Sequence, residues 1–148
     1  MIVNNEREAL CVAMEMERRA IRIYERALLL AADDAVRGGI KGILQQEREH
    51  LGRFTEMRES YPAAPEEEKA MLQAMGAEAL FPGGVMEMER SQGLTTLNSL
   101  YSFAAESEQH AMETYLTFAQ RCRDEKVAEA FRAIAAEEGL HLRQLREK

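Results

Sequence analysis

Apolar residues recur in alternating steps of three and four along four stretches of this chain, the rhythm of a helix that buries one face. The first stretch runs from about Asn5 to Ala32, with Leu10, Ala13, Glu17, Ala20, Tyr24 and Ala27 on its seam. The second runs from about Asp34 to Glu59, with Val36, Ile40, Ile43, Glu47, His50 and Phe54. A third, from about Thr95 to Arg121, aligns Leu97, Leu100, Ala104, Glu108, Ala111, Tyr115 and Phe118. The fourth, from about Glu125 to Glu147, aligns Val127, Phe131, Ile134, Glu138, His141 and Leu145. Between the second and third lies a connecting region, 61–94, that holds a short amphipathic candidate, Glu66 to Leu80, with Met71, Leu72 and Met75 on one face.

Punctuation residues set the connections. Pro62 and Pro65 stop the second helix, and Pro82, Gly83 and Gly84 stop the short one. Asp33 and Asp124 stand where N-caps are needed, in turns so short that each flanking pair of helices must be antiparallel. Gly38, Gly39 and Gly42 weaken the start of the second helix, either to permit close packing or because that end frays. A long helix of this kind spans ~40 Å, and about thirty extended residues cross that length with slack. The expectation is an all-α, single-domain chain, 1–148, of two helical hairpins (5–60 and 95–148) joined by the long crossover 61–94. That is the connectivity of a ferritin-like four-helix bundle.

The two hairpins repeat one pattern at an offset of 91 residues. Glu17 matches Glu108, Tyr24 matches Tyr115, Asp33 matches Asp124, Glu47 matches Glu138 and His50 matches His141, without an insertion. The polar members stand on the apolar seam, where an unpaired carboxylate costs several kcal/mol to bury. Two divalent cations would balance four carboxylates, which gives a physical reason for their position. Residues i and i+3 share a helix face, so Glu47 with His50, and Glu138 with His141, can point at one centre. The expected metal ligands are therefore Glu17, Glu47, His50, Glu108, Glu138 and His141, the set of di-iron and di-manganese carboxylate bundles. Carboxylates and imidazoles without thiolate suit iron first, with manganese or zinc as other occupants. Tyr24 and Tyr115 are expected to hydrogen-bond a ligand of the opposite hairpin. His110, Glu106 and Glu113 lie off the seam and are expected at the surface, with His110 able to approach only across a local bulge.

Composition narrows the alternatives. Lys and Arg total 19 against 26 acids, a net charge of -7, with no basic stripe, which argues against nucleic acid and anionic membrane as partners. Only three acids are Asp; the rest are Glu, the better helix former. Charged residues interrupt the N-terminus, so no secretory signal is read there, and the longest uncharged run, Ser91 to Ala105, is too short to span a bilayer. Cys11 and Cys122 are far apart and read as reduced thiols in a cytoplasmic protein.

With Glu17, Tyr24, Glu47, His50, Glu108, Tyr115, Glu138 and His141, the chain resembles the di-iron domain of the rubrerythrin branch of the ferritin-like superfamily. The resemblance covers all four long helices. It implies an oxidoreductase in which a reduced pair of irons reduces hydrogen peroxide, or dioxygen, to be regenerated by an electron donor. Rubrerythrins carry a rubredoxin domain that this chain lacks, so the resemblance implies a separate donor such as a rubredoxin-type protein. Rubrerythrins also carry an additional Glu where this chain has Ala111, which leaves a symmetric six-ligand set similar to that of bacterioferritin. Ferroxidase or iron-storage activity, and a metal-binding module without turnover, are the other readings. A homodimer is expected, with Met71, Met75 and Phe81 of the crossover as candidate contacts.

Overall fold

The computed structural model describes residues 3–77 and 93–147. Among them all regular structure is helical: α1 (Glu6–Leu30), α2 (Asp34–Arg58), α3 (Pro65–Ala77), α4 (Leu97–Arg121) and α5 (Glu125–Arg146). The most extensive packing joins α1 to α2 and α4 to α5, with α3 laid against α1 and with α2 and α1 meeting α4 across the hairpins. None of the described helices is long and apolar enough to cross a membrane.

Caps explain the helix boundaries. Asn5 is extended and accepts from the Glu8 N–H, so α1 begins one residue later than the periodicity suggests. Asp33 accepts from the Val36 N–H and Asp124 from the Lys126 N–H, each ending a three-residue turn. Thr96 and Ser99 form a reciprocal capping box at the start of α4. The short helix opens on Pro65 instead of stopping before it, because proline needs no N–H partner in a first turn. Its expected last residues, 78–80, lie outside the described residues, as does Phe81.

The glycine-rich start of α2 is helical from Asp34 onward. Gly39 is where close packing occurs: a Cβ there would meet Leu100 Cδ2 at 3.0 Å and the Tyr101 hydroxyl at 3.3 Å. Gly38 and Gly42 face open space.

Two apolar clusters fill the bundle. One gathers Leu10, Met14, Phe54, Tyr115, Phe118, Phe131 and Ile134 with Met75 of α3. The other gathers Ala20, Tyr24, Ile40, Ile43, Leu44, Leu100 and Phe103. Glu17 lies on α1 between Met16 of the first and Ala20 of the second, so the polar seam residue falls between the two apolar clusters. Two expectations fail here. Leu97 is 37% exposed, because it is the first residue of α4 and projects past the end of the core. Met75 is fully buried against the first cluster, which removes it as a contact for a second copy; Met71 packs, half-buried, on the same cluster.

Candidate metal centre

Each long helix contributes to the centre from its seam. Glu17 comes from α1, Glu47 and His50 from one turn of α2, Glu108 from α4, and Glu138 and His141 from one turn of α5. All four glutamates and His50 are buried, with Glu138 only 1% and Glu17 only 2% exposed; His141 is half-buried. One donor atom from each of Glu17, Glu47, His50 and Glu138 lies within 4.8 Å of the others. Glu108, Glu138 and His141 form a second such group. Glu138 belongs to both and joins them.

Both imidazoles turn Nδ1 toward carboxylates. His50 Nδ1 is 3.0 Å from Glu138 Oε1 and 3.8 Å from Glu17 Oε1, and His141 Nδ1 is 3.8 Å from Glu108 Oε2. The two rings lie nearly parallel, with centroids 6.4 Å apart. The 3.0 Å approach is close in distance but not aligned as a hydrogen bond, and both atoms are left without a partner. Glu17 Oε2, Glu108 Oε2, Glu138 Oε2 and His141 Nδ1 are buried and unpartnered as well. So many orphaned acceptors in one place is not a stable apolar core. It does fit cations: two donors each about 2.1 Å from one ion at right angles stand about 3.0 Å apart.

The electrostatics carry the same strain. Burial pushes the Glu17 carboxyl well above its usual range, and Glu47 and Glu138 beside it push further, against the Tyr115 hydrogen bond. Burial raises Glu47 in the same way. Glu108 is pushed up to about 10, first by burial and then by Glu138 and Glu47. Burial works to lower His50, but Glu138 and Glu47 outweigh it and its pKa rises. His141 falls, through burial and the neighbouring His50. Without a cation, Glu108 holds its proton at neutral pH.

The tyrosines differ between the halves. Tyr115 donates its hydroxyl to Glu17 Oε1 at 2.7 Å, across the hairpins. Tyr24 is equally buried, but its hydroxyl is set beside Ser107, and no matching bond to Glu108 occurs among the described residues.

A cavity of about 20 Å³ lies between α1 and α4, bordered by Glu17, Glu47, Glu108 and Glu138. Among the described residues neither ligand imidazole lines it, but His110 does. The expectation of a surface position for His110 therefore fails. The residue is half-buried, with Nε2 fully enclosed, and shares the cavity wall with Ser107 and Ala111; Glu106 and Glu113 are exposed. Nothing in the repeat marks His110, since the matching position in the first hairpin is Arg19. The free thiols lie away from the centre, Cys11 buried and Cys122 half-buried at the end of α4. Comparison of the chain with family models, curated proteins and solved structures finds no match.

Proposed function

We propose that this chain is a ferritin-like, rubrerythrin-like di-iron redox protein that reduces hydrogen peroxide with electrons from a separate donor. The observation that carries the reading is the set of four buried glutamates and two imidazole Nδ1 atoms, largely unpartnered, that form two groups sharing Glu138. Glu17, Glu47 and His50 would hold one ion, Glu108 and His141 the other, and Glu138 both. When bound, a reduced iron pair would supply the two electrons that, with two protons, take hydrogen peroxide to two waters. Two electrons from the donor restore the starting state. Dioxygen is the other oxidant this chemistry admits, taking the same two electrons and two protons to hydrogen peroxide.

The chain's own groups orient and enclose. The Tyr115 hydroxyl holds one oxygen of Glu17, leaving the other free for a cation. The two apolar clusters flank the centre and lower its polarity, which strengthens the charge interactions of its most buried members. The reading includes the reducing cytoplasm, compatible with the free thiols. It also includes a second copy of the chain as partner, to be tested by sedimentation.

The test is anaerobic loading with ferrous iron followed by rapid mixing with peroxide and, separately, with dioxygen. Uptake of two irons per chain, oxidation by peroxide within seconds and repeated turnover with a reduced donor are expected. A diferrous protein left unchanged by peroxide over minutes refutes the peroxidase reading, and storage of many irons per chain would replace it with iron storage.

A further inference from the structure

Beyond the six expected ligands, two polar side chains with buried, unpartnered atoms line the cavity at the centre, Ser107 and His110. His110 lines the cavity between α1 and α4, and its Nε2 is buried with no hydrogen-bond partner. A neutral imidazole nitrogen hidden from water in this way forfeits a hydrogen bond that an exposed one keeps, so it needs a partner that is not a protein atom. Each imidazole nitrogen can donate or accept a hydrogen bond according to the tautomer, so the ring can serve a small polar guest in either sense.

The cavity defines the partner's size. A space of about 20 Å³ open to the centre of a water-sized sphere exceeds the ~10–15 Å³ that one water needs, and is too small for a branched organic molecule. Its place defines the chemistry. It borders all four carboxylates and neither ligand imidazole, so a small molecule in it would sit against a bound pair. Ala20 and Ala111, two small side chains, are part of its wall.

We propose that this cavity receives the oxidant, a molecule of two oxygen atoms, and that His110 is a positioning residue that hydrogen-bonds it there. The inference rests on the di-iron reading and adds to it a location, a size limit and a further polar residue. His110 is not a ligand, since it stands outside both groups of converging donor atoms.

The test compares the full-length chain with His110→Leu and His110→Gln, the latter keeping a donor and an acceptor. Iron content and thermal midpoint establish that each variant is folded and loaded. Nitric oxide, a two-atom probe, is then added to the ferrous-loaded proteins and the N–O stretch is read by infrared spectroscopy. Removal of a hydrogen bond should shift the stretch in His110→Leu, with His110→Gln closer to the parent. The kcat/KM for peroxide should fall about tenfold in His110→Leu, equal to ~1.4 kcal/mol, and recover in part in His110→Gln. The rate of oxidation by dioxygen should fall alongside it, while tert-butyl hydroperoxide should oxidise the parent far more slowly than hydrogen peroxide. An unshifted N–O stretch with unchanged kinetics overturns the proposal while leaving the di-iron reading intact. Loss of iron from both variants overturns it in favour of a ligand or packing role. A parent protein that binds two irons and nitric oxide but ignores both oxidants sinks the functional reading, and the stretch still reports whether His110 faces the bound probe.

Discussion

The Tyr115 hydroxyl donates to Glu17 Oε1 at 2.7 Å, a bond between residues 98 positions apart that ties α4 to α1 at the edge of the centre. Its counterpart by the repeat, Tyr24 with Glu108, lacks it; Tyr24 lies beside Ser107 instead. The two halves of a symmetric sequence thus hold their glutamates unequally. Tyr115→Phe should weaken binding of the ion near Glu17 by about 10–100-fold, the usual loss when a ligand's outer partner goes. Tyr24→Phe should change metal affinity less. Competitive chelator titrations of both variants measure this, and equal losses would contradict the asymmetry.

Glu138 lies in both groups of donor atoms, whereas Glu17 and Glu108 each lie in one. Glu138→Ala should therefore abolish occupancy of both ions, while Glu108→Ala should leave one ion bound. Metal content after gel filtration distinguishes them. Two retained ions in Glu138→Ala would refute its shared role.

Cation and proton compete for the same carboxylates. An acid raised from 4.5 to about 10 in the native state, as Glu108 is, keeps a proton that the unfolded chain has released. Stability of the metal-free protein should consequently fall as pH rises between those values, since the native state binds more protons. Between pH 7.5 and 9 the thermal midpoint of the metal-free protein should drop, and that of the loaded protein should change less, because cations replace the protons. Metal uptake at pH 7.5 should also release protons, visible with a pH indicator in weak buffer. A metal-free midpoint that climbs across this range would contradict the shift.

Away from the centre, Glu6 accepts from the Asp124 N–H at 2.9 Å and from the Arg123 N–H, tying the first turn of α1 to the turn before α5. Burial tends to raise its pKa, but these backbone bonds outweigh it and hold the carboxyl below its ordinary value. Glu6→Ala strips two backbone donors of their partner and should cost about 1–3 kcal/mol in chemical denaturation. Its contribution is present above the unfolded pKa and is lost as pH falls through the native one, so the gap between variant and parent should close in acid.

The glycines of α2 offer a contrast on one helix. Gly38→Ala meets open space and should stabilise by roughly 0.5–1 kcal/mol through lower backbone entropy. Gly39→Ala pushes on Leu100 and Tyr101 and should gain less or lose stability. Thermal melts of the two variants decide, and an equal gain would show that the α2–α4 contact yields freely.

Much of this molecule is written in local signals. Seam spacing alone marks the four long helices, because a 3.6-residue turn must put every third or fourth residue on the buried side. Asp33 and Asp124 announce their caps, since a short side-chain oxygen beside a free helix N–H is a local relationship. The six polar seam residues were legible for the same reason: periodicity assigns a face without knowing what lies opposite. Other features depend on what does lie opposite. Glu138 joins both groups, Tyr115 reaches Glu17 while Tyr24 turns to Ser107, and Met75 is covered by α1, all through contacts between elements distant in sequence. His110 is the sharpest case. Helical phase put it off the seam, yet it lines the cavity between α1 and α4 together with Ala20 and Ala111. A repeat fixes which residues can meet, but distances of a few ångströms across a core are set by how unequal side chains pack, and only the folded chain decides them.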